Sequence, residues 1–262
     1  MIDNSKNILH YIENSVAYIK LNNPIKLNAI NLEMWKNIGN ILKDFEKNSN
    51  IRCIVLRGEG RKAFSAGADI SEFDENRSKT EEVKKYDNAS KSSMKLLQNI
   101  SIPTIAIIDG YCIGGGLATA LSCDLRFASE KSTFAIPAAK LGLAYDYAGV
   151  KRLRDIVGPS NAKHIFYTAK QFNGEEALQM GLINGLFKED DFEKNILDVI
   201  NNICVNAPLT ISAAKISIDA DPNNHLEYKK CLEAEKVCFE SSDYQEGRRA
   251  FSEKRKPNFS GN

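Results

Sequence analysis

The sequence predicts an α/β fold with a helical C-terminal region, on three observations. Segments of strand character alternate with segments of helical character up to about residue 130, the order expected of a sheet with crossover connections. Residues 105–108 form an apolar run rich in β-branched side chains, the pattern of a strand buried on both faces. From residue 190 to residue 251 the pattern is helical throughout.

Residues 8–13 and 16–21 alternate around Asn14-Ser15 and read as a hairpin. Asn22-Asn23-Pro24 then breaks the pattern. Leu32, Trp35, Ile38, Leu42 and Phe45 recur at helical spacing, with Asn31 placed to cap that helix. A strand is expected over 51–56, with Arg57-Gly58-Glu59-Gly60 as its exit. A polar, charged stretch from Glu72 to Tyr86 leads into a helix ending near Ile100, and the buried strand follows Ile102-Pro103. Gly114-Gly115-Gly116 interrupts the next segment, and residues 117–123 read as a small-residue helix. Beyond it come a short strand at 133–136 and helices over 149–157, 160–168 and 175–180, followed by residues 182–187. Pro208 opens one helix of the tail, and Asp221-Pro222-Asn223 separates it from the next. The expected division is an α/β core over 1–195 and a helical region over 196–262.

Composition narrows the function classes. The 262 residues can bury a full core, and 35 basic against 34 acidic side chains leave a net charge of +1. That balance predicts no nucleic-acid partner and no membrane surface. The six cysteines show no CxxC pair, and His10, His164 and His225 lie far apart in sequence. No metal site is expected. The first residues carry no long apolar run, and no segment approaches the ~18 apolar residues of a membrane span. A cytoplasmic protein is expected.

The glycine-rich turn after a buried strand suits close approach of another group to the backbone. It also offers unpaired N–H groups to negative charge, whether a phosphate or a developing oxyanion. Residues 62–70, rich in small side chains, follow the preceding strand after a short loop. Two N–H groups from two such loops are what an oxyanion hole requires. The GxxxxGK[ST] and GxGxxG phosphate motifs are absent, as is the GxSxG elbow of serine hydrolases.

Phe64-Ser-Ala-Gly-Ala-Asp-Ile70, Asp109-Gly-Tyr-Cys-Ile-Gly-Gly-Gly116 and Ser122-Cys-Asp-Leu-Arg126 resemble the enoyl-CoA hydratase/isomerase (crotonase) family. The resemblance continues through residues 24–29, Leu141-Gly142-Leu143, Val157-Gly158-Pro159 and residues 175–182, and ends at residues 251–259. It implies a crotonase-like spiral of ββα units with a helical C-terminal region, assembled as a homotrimer or a dimer of trimers. It also implies an acyl-CoA substrate, with coenzyme A part of that substrate and no separate cofactor. The Ala68 and Gly115 N–H groups would grip the thioester carbonyl. Lys26, Asn28, Ala29, Ala66, Asp69 and Ile70 match positions around the CoA. Phe251 and Lys254 match tail positions that in relatives reach the CoA of a neighbouring subunit.

The resemblance fails where hydratases of the family carry their two glutamates, since Ala118 and Ala138 stand there. Alanine neither accepts nor donates a proton, so the usual hydratase mechanism does not transfer. The loop Leu143-Ala-Tyr-Asp-Tyr-Ala-Gly149 supplies Tyr145 and Asp146 as candidate acid/base groups. Tyr145 and the tail resemble the methylmalonyl-CoA decarboxylases of the family. Three functions are therefore open: a hydratase-like enzyme working through Tyr145 and Asp146, a decarboxylase of malonyl- or methylmalonyl-type thioesters, and a non-catalytic CoA-thioester-binding protein.

Overall fold

A computed structural model of the chain describes residues 7–69 and 80–262. Two sheets carry the α/β part. The larger has the order β1 (Ile8–Glu13), β2 (Val16–Leu21), β3 (Cys53–Gly58), β5 (Thr104–Ile108), β7 (Leu125–Ser129), β10 (Gly185–Phe187). The smaller has the order β4 (Ala63–Ser65), β6 (Tyr111–Ile113), β8 (Thr133–Ala135), β9 (Phe172–Asn173). Among the described residues only the β1–β2 and β8–β9 pairs are antiparallel.

The chain lays one strand in the large sheet, the next in the small sheet, and then a helix. β3 and β4 precede α2 (Thr80–Asn99), β5 and β6 precede α3 (Gly115–Leu121), and β7 and β8 precede α4 (Tyr147–Thr168). These are three successive ββα turns, the spiral that the resemblance implied. Of the smaller sheet the sequence offered β8, read as a strand over 133–136, while β4, β6 and β9, of two or three residues, show no periodicity.

α1 (Leu32–Glu46) begins where expected: the Asn31 side chain accepts from Met34 N at 2.8 Å, satisfying one of the orphan donors of the first turn. Its apolar stripe, Trp35, Ile38, Leu42 and Phe45 among it, is buried in the main core. β5 is buried along its whole length, as its apolar run predicts. Alternate side chains serve opposite faces: Ala106 and Ile108 join the main core, while Ile105 and Ile107 join a second cluster with Val55 and Phe127. After the short α5 (Gly174–Gln179), that second cluster is closed by Phe192, Ile196 and Ile200 of α6 (Phe192–Cys204), each contributing about 1.5–3 kcal/mol by burial. The expected division at 195/196 thus falls within a helix that is part of the core.

The tail consists of α7 (Pro208–Asp219), α8 (His225–Glu240) and α9 (Ser242–Ser252). α7 and α8 contain no buried residue. α7 is tied to the core by an ion pair from Lys215 to Asp124 at 2.8 Å. No single helix among the described residues is long and apolar enough to cross a membrane.

α4 is broken at Gly158 (φ 77, ψ 162), followed by Pro159, which explains the two separate helical segments read over 149–157 and 160–168. Proline removes a backbone donor and its ring obstructs the preceding turn. α3 begins at Gly115, two residues before the expected start, because Gly115 and Gly116 themselves form its first turn.

Candidate active site

Two loops meet where the small sheet begins. β4 and β6 run parallel, Ser65 opposite Cys112, so the chain leaving β4 and the chain leaving β6 emerge side by side. After β4, Ala68 forms a parallel bridge with Ile30: Ile30 N donates to Gly67 O at 2.7 Å and Asp69 N to Ile30 O at 3.1 Å. In a parallel bridge both bonds are made by the neighbours of the bridging residue, so the N–H of Ala68 points away from Ile30. After β6, Gly114 (φ 55, ψ −117) precedes α3 and Gly115 opens it. The backbone at Gly114 occupies a region essentially restricted to glycine.

The two peptides are adjacent. A Cβ on Gly115 would lie 3.4 Å from Ala68 N, and a Cβ on Gly67 would lie 3.4 Å from Gly115 N. Neither Ala68 N–H nor Gly115 N–H donates a hydrogen bond among the described residues. For Gly115 the reason is general: the first N–H groups of a helix have no partner within it. Gly116 packs so tightly on β4 that a Cβ there would stand 2.4 Å from Ser65 O. The triple glycine therefore combines a left-handed turn, an open donor and a close contact.

Lys26 Nζ pairs with Asp69 at 2.8 Å, and the Asp69 side chain is buried. Asn28 is buried and its side chain is spent on the scaffold: Nδ2 donates to Ala63 O at 2.7 Å and Glu59 O at 3.0 Å, and Oδ1 accepts from Asn23 N. Ala66 N donates to Leu27 O at 2.9 Å, and Ala29 is buried. Lys26, Asn28, Ala29, Ala66 and Asp69 thus stand around the Ala68 loop. Ile70 lies outside the described residues.

Tyr145 and Asp146, adjacent in sequence, have different surroundings. The Tyr145 hydroxyl stands 3.8 Å from where a Cβ on Gly114 would be. It makes no hydrogen bond among the described residues. Burial pushes its pKa up to about 12, because the charged phenolate is the form that loses solvation. Asp146 is exposed and caps α4: its Oδ1 accepts from Gly149 N at 2.8 Å, and Oδ2 pairs with Lys91 at 3.5 Å. The side chain of Asp146 is spent on the helix end and a neighbouring lysine.

Ala118 is half-buried on α3, and Ala138 is buried in the single turn Pro137–Leu141. Neither Ser65 nor Ser122 has a histidine partner. Ser65 Oγ accepts from Gly67 N at 3.1 Å, and Ser122 Oγ donates to Ala118 O at 3.0 Å.

Phe251, the penultimate residue of α9, has 88% of its surface exposed. Lys254 follows it, exposed and with positive φ (54°). The tail after them, part of the stretch that carries the resemblance, is laced back onto α9 by two carboxylates. Asp243, buried, accepts from Ser260 N at 2.7 Å and Gly261 N at 2.9 Å. Glu246 accepts from Arg255 at 2.6 Å and Asn258 N at 2.9 Å, bonds that hold its pKa down to about 2.

The sequence profile of the enoyl-CoA hydratase/isomerase family matches residues 11–262. The chain belongs to that family. It is 32% identical to the short-chain-enoyl-CoA hydratase of Clostridium acetobutylicum, over 95% of this chain and 96% of that one. It is likewise 32% identical to the methylmalonyl-CoA decarboxylase of Escherichia coli, with 95% of each chain covered. Among solved structures, an enoyl-CoA hydratase/carnithine racemase from Magnetospirillum magneticum superposes with a TM-score of 0.91 at 31% identity, covering 98% of this chain and 96% of that one. An enoyl-CoA hydratase from Bacillus anthracis gives 0.90 at 29%, covering 98% and 100%. The crotonase-type α/β fold with its C-terminal helices is thereby shown.

Proposed function

We propose that this enoyl-CoA hydratase/isomerase family member processes acyl-CoA thioesters by stabilising a thioester enolate between the Ala68 and Gly115 N–H groups. The observation that carries this reading is the pair of backbone donors, adjacent and unpartnered among the described residues, on two neighbouring loops. Donors of that kind, aimed where charge develops, each contribute about 2.7–4 kcal/mol to the transition state.

The reaction it favours is decarboxylation of a malonyl- or methylmalonyl-type thioester. Ala118 and Ala138 carry no carboxyl group, Asp69 is paired with Lys26, and Asp146 caps a helix. No carboxylate base is thus offered to the substrate by these residues. Decarboxylation needs none: the bond from Cα to the carboxylate breaks, carbon dioxide leaves, and the electron pair becomes the enolate held by the two N–H groups. Tyr145, neutral through ordinary pH, donates a hydrogen bond to the substrate carboxylate. It then protonates Cα and recovers its proton from water. No cofactor is required beyond the CoA that the substrate carries.

Hydration is the second reading, favoured by the hydratases at 32% identity. A panel of crotonyl-CoA, a 3-enoyl-CoA and methylmalonyl-CoA, assayed with wild type, Tyr145→Phe and Asp146→Asn, separates the two. Loss of carbon dioxide from methylmalonyl-CoA supports decarboxylation. Rapid hydration of crotonyl-CoA supports the second reading. Binding without turnover of any of the three supports a non-catalytic CoA-thioester-binding role.

The assembly proposed is a homotrimer or dimer of trimers. The accessible surface is 14804 Å², whereas a compact monomer of this mass exposes about 11,500 Å². Ile218, Leu226 and Phe239 of α7 and α8 are among the exposed apolar side chains. In such an assembly Phe251 and Lys254 would serve the CoA of a neighbouring subunit. Sedimentation equilibrium tests the assembly.

A further inference from the structure

Tyr145 immediately precedes the cap of α4, and Phe166 lies in that helix's last turn. In an unbroken helix the 22 residues of α4 would span about 33 Å, and the two rings could not meet. Their centroids are 5.3 Å apart, edge to face at 77°. The break at Gly158–Pro159 returns the second half of α4 toward its own start. Both rings also pack on the main core. The Tyr145 hydroxyl has no hydrogen-bond partner among the described residues, so packing alone sets the direction in which it points. Phe166 is the aromatic neighbour of that ring, and edge-to-face pairs prefer this geometry over a parallel sandwich.

Resting on the role proposed above for Tyr145, we propose that Phe166 is a positioning residue that fixes the Tyr145 hydroxyl beside Gly114. The ring is flanked by Phe166, and burial is what raises the pKa of the phenol. Phe166 itself touches no reacting atom, and its effect passes entirely through the orientation of the neighbouring ring. A displacement of the hydroxyl by about 1 Å is enough to cost a large factor in rate.

A double-mutant cycle tests this. Wild type, Phe166→Leu, Tyr145→Phe and the double variant are assayed on whichever panel thioester turns over. Phe166→Leu should lower kcat roughly 10- to 100-fold with KM nearly unchanged, and should cost nothing further in the Tyr145→Phe background. An equal loss in both backgrounds, or no loss in either, overturns the proposal. If Tyr145→Phe alone leaves kcat intact, the role of Tyr145 fails instead, and that outcome is distinct. The same four proteins labelled with fluorotyrosine supply a readout that needs no turnover. The Tyr145 resonance, identified by its absence in Tyr145→Phe, should move toward the solvent-exposed position in Phe166→Leu. An unmoved resonance overturns the proposal. Phe166→Trp, which retains an aromatic edge, should restore more of the wild-type signal and rate than Phe166→Leu.

Discussion

The amide nitrogen of Ala68 lies 3.4 Å from the point where a side chain on Gly115 would begin. Two loops separated by more than forty residues in sequence therefore present their N–H groups at one place. That adjacency follows from the parallel pairing of β4 with β6 and from the Ile30–Ala68 bridge, which turns one donor outward.

Gly115→Ala should abolish function while leaving the fold intact. The new methyl makes only ordinary contact with Ala68 N, but it occupies the space between the donors. We expect kcat/KM to fall about 100-fold or more, with the melting temperature within about 2 °C of wild type. Gly116→Ala is the contrasting case. Its methyl would meet Ser65 O at 2.4 Å, so stability itself should fall by about 1–3 kcal/mol. Thermal denaturation of the two variants side by side checks both outcomes.

Tyr145→Phe should lower kcat with little effect on stability, because the hydroxyl makes no hydrogen bond within the described residues. The pH profile provides a second check. With its pKa raised to about 12 by burial, the phenol stays protonated well past the ordinary tyrosine value of about 10. The rate should show no basic limb from Tyr145 at or below about pH 10. For stability, a raised folded pKa contributes below the unfolded value, and the contribution is lost as pH rises from about 10 toward 12.

Asp146→Asn and Asp146→Ser should retain activity, since asparagine and serine cap helices as well as aspartate does. Asp146→Ala should cost about 1 kcal/mol of stability, through the lost bond to Gly149 N. Loss of turnover in Asp146→Asn with an unchanged melting temperature would restore this side chain as an acid/base group.

Asp109 predicts the acid limb of stability. Burial alone would raise its pKa, but hydrogen bonds from Arg61, Ser129 and Lys131 hold it below the usual carboxylate range. A lowered folded pKa contributes stability above the unfolded value of about 3.9, and that contribution disappears as pH falls through the folded pKa. Asp109→Asn should therefore be less stable than wild type at neutral pH, by about 1–3 kcal/mol. The difference should shrink below about pH 4. Urea denaturation at several pH values measures it.

Much of this was legible in the sequence. The β-branched run of β5, the Asn31 cap and the Gly158-Pro159 break each declare themselves by local chemistry. The Ala68 and Gly115 loops were recognisable from their small residues and family pattern, and the loss of both glutamates from Ala118 and Ala138. Of the smaller sheet, β4, β6 and β9 were not, because strands as short as Phe172–Asn173 are made by tertiary pairing rather than periodicity. That Asp146 caps α4 was not legible, because a carboxylate in a loop and a carboxylate at a helix cap look alike until the helix start is known. Phe166 carried no signal at all, since its contact with Tyr145 exists only through the bend of α4.

The central claim is that two backbone donors and a neutral phenol run enolate chemistry without a carboxylate base. The most direct measurement is turnover of methylmalonyl-CoA by wild type and Tyr145→Phe, followed as carbon dioxide release, with crotonyl-CoA hydration measured in parallel. Our account predicts decarboxylation by wild type, a loss of about 100-fold in Tyr145→Phe, and negligible hydration. Rapid hydration of crotonyl-CoA, with methylmalonyl-CoA left untouched, would contradict it.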